Sequence, residues 1–200
     1  MKIQQRASAL CMLFVTVVAG SCASGSGSGG TRSSSSGPRV IAGSDRPIPL
    51  ILDADEGERR VRRGGGGRVV LKVDPEGARS SELVMTMETI PAGESVPSHF
   101  QPSADAIVFV HRGSGTVQVG DRSGRVSEGS TVYVPRSTST SLRNTGSQPM
   151  VIVTTFSQLG IEKYVRETSV PVGRPAAPLS AAELREIRAR HTDQVVFENP

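Results

Sequence analysis

The tightest constraint on this chain is a pair of glycine-bounded motifs between residues 93 and 144. Gly93 is followed after five residues by His99 and then Gln101, and an apolar run from Ala106 to Val110 closes at Gly113. A second glycine, Gly129, is followed after another five residues by Pro135, and this motif ends at Asn144. Glycines so placed permit turns that a side chain would block. The short apolar runs between them are too brief for helices and suit strands that reverse direction at each turn.

The flanking sequence continues the pattern. Arg68–Val73 reads as a strand, and Glu82–Ile90 alternates, with Leu83, Met85 and Met87 on one side and Val84, Thr86 and Glu88 on the other. Thr116–Val119, Thr131–Val134 and Met150–Thr155 are further strands, and Gly120–Gly124 is a hairpin loop. Regular short strands with turn signals between them predict an all-β sandwich or barrel. One helix is clear. Ser180 and Glu183 form a capping box, and Leu184 and Ile187 share the face that packs on the sheet.

These motifs resemble the two signatures of the cupin superfamily. The first reads Gly, five residues, His-x-His, a short gap, Glu, six residues, Gly. The second reads Gly, five residues, Pro-x-Gly, two residues, His, three residues, Asn. The resemblance covers residues 68–156 and implies a double-stranded β-helix, the cupin jelly-roll barrel, followed by short C-terminal helices. It also implies a short helix within Phe156–Glu167, with Leu159, Ile161, Tyr164 and Val165 packed back on the sheet. In the family, two His of the first motif, its Glu and the last His hold a first-row metal inside the barrel.

This chain keeps the turn-forming residues and loses most of the ligands. His99 is present, but Gln101 replaces the second His, Ala106 the Glu and Thr140 the last His, while Ser137 replaces the second motif's inner glycine. Neutral amide and hydroxyl oxygens are poor ligands for transition metals. The reading is therefore a site with no metal cofactor, which points away from a metal-dependent enzyme. The residues left inside are His99, Gln101 and Thr140, with Tyr133 or Arg143 at the rim. They suit a pocket for a small polar ligand, or a structural module. The alternative is a divergent oxygenase or isomerase holding Fe, Mn, Ni or Zn through His99 with Asp105 or Gln101. The Gly113 spacing, however, points Ala106 inward and Asp105 outward. His111 and His191 are read as surface residues. Family members often dimerise through exposed strand edges, which makes a homodimer an expectation.

The N-terminus reads as a targeting segment. Lys2 and Arg6 precede an apolar stretch from Ala9 to Ala19, and Ala19-Gly20-Ser21-Cys22 looks like a bacterial lipobox with Cys22 as the lipidated residue. Cleavage after Ala23 is the other reading. The expected division is a signal peptide at 1–21, a Gly/Ser-rich tether at 22–45, the cupin domain at 46–178 and a C-terminal helix and tail at 179–200. Localisation follows as the cell envelope, at a membrane through the N-terminal lipid. Both cysteines, Cys11 and Cys22, precede the domain, which excludes a disulfide or thiolate chemistry within it. The 23 Lys and Arg against 19 Asp and Glu leave little surplus once Lys2 and Arg6 are set aside. The cluster Arg59, Arg60, Arg62, Arg63 and Arg68 is read as a solvated loop, and no nucleic-acid partner is expected.

Overall fold

A computed structural model describes residues 46–198, so the signal peptide, the tether and Cys22 lie outside the described residues. The elements are β1 (Glu58–Arg62), β2 (Arg68–Val73), α1 (Pro75–Ala78), β3 (Val84–Ile90), β4 (Ser95–Phe100), β5 (Ala106–Arg112), β6 (Ser114–Val119), β7 (Arg122–Ser127), β8 (Thr131–Val134), β9 (Thr140–Asn144), β10 (Met150–Phe156), α2 (Ile161–Glu167), β11 (Ser169–Pro171), α3 (Ala181–Arg190) and β12 (Val196–Phe197). No helix among the described residues is long and apolar enough to cross a membrane.

All pairings are antiparallel and fall into two sheets, in the orders β11-β1-β2-β3-β10-β5-β8 and β12-β4-β9-β6-β7. The sheets face one another, and their inward side chains meet in shared apolar clusters. One joins Ile90, Val110, Met150 and Ile152 of the first sheet to Val126 and Leu142 of the second. The other joins Val84, Ala106, Val134 and Phe156 to Ile161 and Tyr164 of α2 and Ile187 of α3.

The expected closed barrel is not what forms. Both sheets are open, and among the described residues no ladder joins an edge of one to an edge of the other. The reason lies at the outer edges of β3 and β4. β2 occupies the free edge of β3 and β12 that of β4, so each ladder extends outward into an added strand. The more general expectation of two packed sheets is the one that stands.

Several turn residues act as their spacing implies. Gly113 has a φ of 94°, and a Cβ there would lie 2.9 Å from the Met150 Cα, so only glycine fits. Ser137 adopts the left-handed φ of 57° at the position where the family motif carries glycine. Its N–H donates to the Gln101 carbonyl at 2.7 Å, which helps hold the strained turn. Pro135 follows β8, and its carbonyl accepts from the Thr138 N–H.

One strand is irregular for a local reason, and one cluster differs from expectation. β4 contains Pro97, which has no N–H to give, and the pairing with β9 shifts register between Val96 and His99. The arginine cluster is not a solvated loop. Arg59–Arg62 lie in β1, paired with both β2 and β11, and Arg60 is buried.

Candidate functional site

The four positions that hold metal in the family come together. His99 on β4 stands opposite Thr140 on β9. These two, with Gln101 and Ala106, line one small cavity of about 70 Å³ between the sheets. The strand geometry of the motif is thus kept while its donor atoms are not. His99 contributes the one imidazole. Ala106 has no donor, and the Thr140 hydroxyl already donates to the Gln118 carbonyl at 3.0 Å. Among the described residues no group of three or more His, Cys, Asp or Glu side chains gathers in metal-binding proximity. The residues present do not fit a first-row metal.

Asp105, offered as a substitute carboxylate, faces away. It accepts from the Arg136 backbone N–H at 2.9 Å and from Nε at 3.2 Å and NH2 at 3.1 Å of the same residue. The Arg136 guanidinium holds the Asp105 carboxyl below its usual range. Tyr133 is not at the rim either. It is 59% exposed on the outer face of the first sheet, beside the exposed Ile107, and Arg143 is likewise exposed. His111 is on the surface, as read from the sequence. His191 is not. It is buried at the end of α3, and its Nε2 lies 2.9 Å from Glu167 Oε1.

His99 and Gln101 also line a second, larger cavity of about 370 Å³. Its walls come from outside the two motifs. Thr86 and Glu88 enter from β3, Arg62 from β1, Tyr164 from α2, Arg188 from α3 and Phe197 from β12. The inward face of β3 is Val84, Thr86, Glu88 and Ile90, while Leu83, just before the strand, is exposed. The more apolar set of the alternation therefore points outward. A carboxylate carried inward is affordable because Arg62 meets it at 2.6 Å, and Glu88 in turn raises the pKa of the guanidinium.

The C-terminal tail closes this cavity. The Phe197 ring lies 5.6 Å from that of His99 and 5.6 Å from that of Tyr164, and the Arg188 guanidinium sits 4.1 Å over it. Glu198 pins the segment by accepting from Ser98 Oγ at 2.8 Å and from Ser139 Oγ at 2.5 Å. Burial pushes the Tyr164 phenol up, against the pull of the nearby Arg188, so it remains a donor at neutral pH.

His99 is set in one tautomer. Its Nδ1 lies 2.8 Å from the Pro97 carbonyl, which can only accept, so Nδ1 carries the hydrogen and Nε2 is a bare acceptor. Burial lowers the pKa of the ring, only partly offset by that hydrogen bond. The folded ring takes up a proton less readily than the unfolded one. Its contribution to stability is therefore intact above about pH 6.5 and lost as pH falls through the depressed folded value. The Ser139 and Ser98 hydroxyls hold the neighbouring Glu198 carboxyl below its usual range. Urea denaturation at pH 7.5 and pH 5.5 is expected to show a loss that His99→Gln reduces. An equal loss in the variant would refute this assignment.

Sequence reasoning missed Arg62, Thr86, Glu88, Tyr164, Arg188 and Phe197 as site residues. The available signal was Glu88, a charge in register with Val84 and Ile90 on a strand whose alternation was otherwise clear.

Comparison with known proteins agrees with this architecture. The cupin domain model matches residues 86–156. The tetracenomycin polyketide synthase protein TcmJ of Streptomyces glaucescens is 31% identical over 117 residues, which is 58% of this chain and 77% of that protein. Among solved structures, KdgF from Halomonas sp. is similar with a TM-score of 0.50 at 16% identity, over 57% of this chain and 99% of that one. The cupin domain of Schizosaccharomyces pombe Cnp3 aligns with a TM-score of 0.42 at 17% identity, over 50% of this chain and 66% of that one. With its two motifs, its paired antiparallel sheets and a relative matched over most of that relative's length, the chain belongs to the cupin superfamily.

Proposed function

We propose that this cupin domain binds a small polar molecule between its sheets without metal chemistry. One observation carries the reading. The cavity of about 370 Å³ has apolar walls and converging polar groups, the usual make-up of a small-molecule site. Some of those groups have no protein partner. The Thr86 hydroxyl and Arg188 Nε are buried without a hydrogen bond, and Gln101, 4% exposed, lines the cavity. Buried polar groups are ordinarily paired, so unpaired ones around a void favour an occupant that pairs them.

The test is a small-molecule screen by thermal shift on the full chain. Ligands found this way are expected to bind Gln101→Leu and Phe197→Ala at least about tenfold more weakly, since each loses a cavity contact. Hits that bind both variants as well as the parent would place the site elsewhere. Metal content is the companion measurement. Stoichiometric iron, manganese, nickel or zinc in the purified chain would overturn the metal-free reading.

We further propose that the domain is exported and tethered to a membrane through lipid on Cys22. The support is the Ala19-Gly20-Ser21-Cys22 motif after a short apolar stretch and before a Gly/Ser-rich segment. Palmitate labelling in a bacterial host is expected for the parent chain and absent for Cys22→Ser. Equal labelling of the two would sink the proposal.

A further inference from the structure

The charges that line the large cavity are unbalanced. Arg62, Arg63 and Arg188 face one carboxylate, Glu88. Arg62 is taken by Glu88 at 2.6 Å. Arg63 is held at the rim, donating from Nε to the Ala177 carbonyl at 3.0 Å, with Glu183 at 4.0 Å. Arg188 has no carboxylate within ion-pair distance among the described residues. Its neighbours are neutral: the Tyr164 phenol and the Phe197 ring, 4.1 Å from the guanidinium carbon.

The Phe197 ring beneath the guanidinium holds it at the cavity wall, and its N–H groups lie in the guanidinium plane. Nε is buried yet donates to nothing. A planar cationic fork with a free donor, on the wall of an apolar cavity, matches the two oxygens of a carboxylate. Thr86 and Gln101 add a hydroxyl and an amide on the same cavity. Phe156, Ile161 and Val195 supply apolar wall for the rest of the molecule.

We propose that the cavity selects small organic acids, with Arg188 as the residue that recognises the carboxylate. The proposal rests on the small-molecule reading above and names the ligand class for that site. It also assigns the specificity-determining residue to the helix added after the sheets, not to the motif positions that hold metal elsewhere in the family. The apolar body of the acid lies against Phe156, Ile161 and Val195.

The test compares benzoate, 2-naphthoate and decanoate with their primary amides, by calorimetry and ligand-observed NMR on the full chain. At least one acid is expected to bind at least tenfold more tightly than its amide. Arg188→Met should abolish that preference, Arg188→Lys should keep part of it, and Arg63→Met should leave it unchanged. Amides that bind as tightly as the acids would overturn the choice of an acid while leaving a small-molecule cavity standing. An acid preference that survives in Arg188→Met would overturn the role of Arg188. If neither acids nor amides bind the parent chain, this inference falls, while the small-molecule reading stands or falls separately with the thermal-shift screen.

Discussion

Arg166→Met is expected to destabilise the domain by about 3 kcal/mol, the cost of leaving a partly buried carboxylate without its cation. Arg166 NH2 lies 2.6 Å from Glu58 Oε2 and also bonds Asp74 Oδ2, while NH1 reaches Glu76 at 3.1 Å. The Asp74 side chain is 5% exposed, so water cannot replace the lost partner there. Glu58 is shared, because its other oxygen accepts from Arg60 NH1 at 2.6 Å. Arg60 in turn donates from Nε to Ser169 Oγ at 2.8 Å and from NH2 to the Arg166 carbonyl at 2.9 Å. The network ties β1, β11, α1 and α2 into one unit, and β1 carries Arg62 to the cavity. Urea denaturation at pH 7 measures the effect. A partial rescue by Asp74→Asn in the Arg166→Met background is also expected, because it removes the stranded charge. A loss below about 1 kcal/mol would mean that the pair behaves as a solvated surface bridge.

Asn144→Ala is expected to cost a similar amount, about 3 kcal/mol, through unpaired backbone groups and not through charge. Asn144 is fully buried. Its Nδ2 lies 3.0 Å from the Ile90 carbonyl, 3.1 Å from that of Pro91 and 2.9 Å from that of Gln148, so one of its two hydrogens is shared. Its Oδ1 accepts from the Gly146 N–H at 3.0 Å. One side chain thus joins the end of β3, the turn before β4 and the turn before β10. The test that separates this role from simple packing is Asn144→Asp. A carboxylate keeps the acceptor but turns toward three carbonyls, so at pH 7 it should be at least as destabilising as alanine. An aspartate variant of parental stability would refute the donor role.

Asn144 also shows which part of the structure was legible in the sequence. Turn residues act locally, and their spacing carries their meaning. Gly93, Gly113, Gly129 and Asn144 lie at turns or strand ends, with positive φ at all three glycines. The alternating strands and the Ser180–Glu183 capping box were equally readable, because each depends on neighbours a few residues away. The position of the lost metal site was legible for the same reason.

The rest depended on distant parts of the chain. Sheet closure is decided at strand edges, and β12 is too short to be recognised as the strand that occupies one of them. Arg62 looked solvated because its partner, Glu88, lies on another strand. His191 looked like a surface residue, but it is buried against Glu167 from the end of α2. The inward face of β3 was hidden by composition. Met85 and Met87 are the more apolar choice, yet they pack on the outer side while Thr86 and Glu88 face the void.

The closing role of Phe197 has a consequence for how the protein matures on the ribosome. The strands bearing Glu88 and His99, and Gln101 just after β4, emerge long before the segment that covers them. Until the tail arrives, the chain presents a half-built pocket with its polar floor open to water and the outer edge of β4 unpaired. An intermediate of this kind is a natural client for chaperones that recognise open strand edges. The cavity would then be complete only once β12 has formed, after every other strand that lines it.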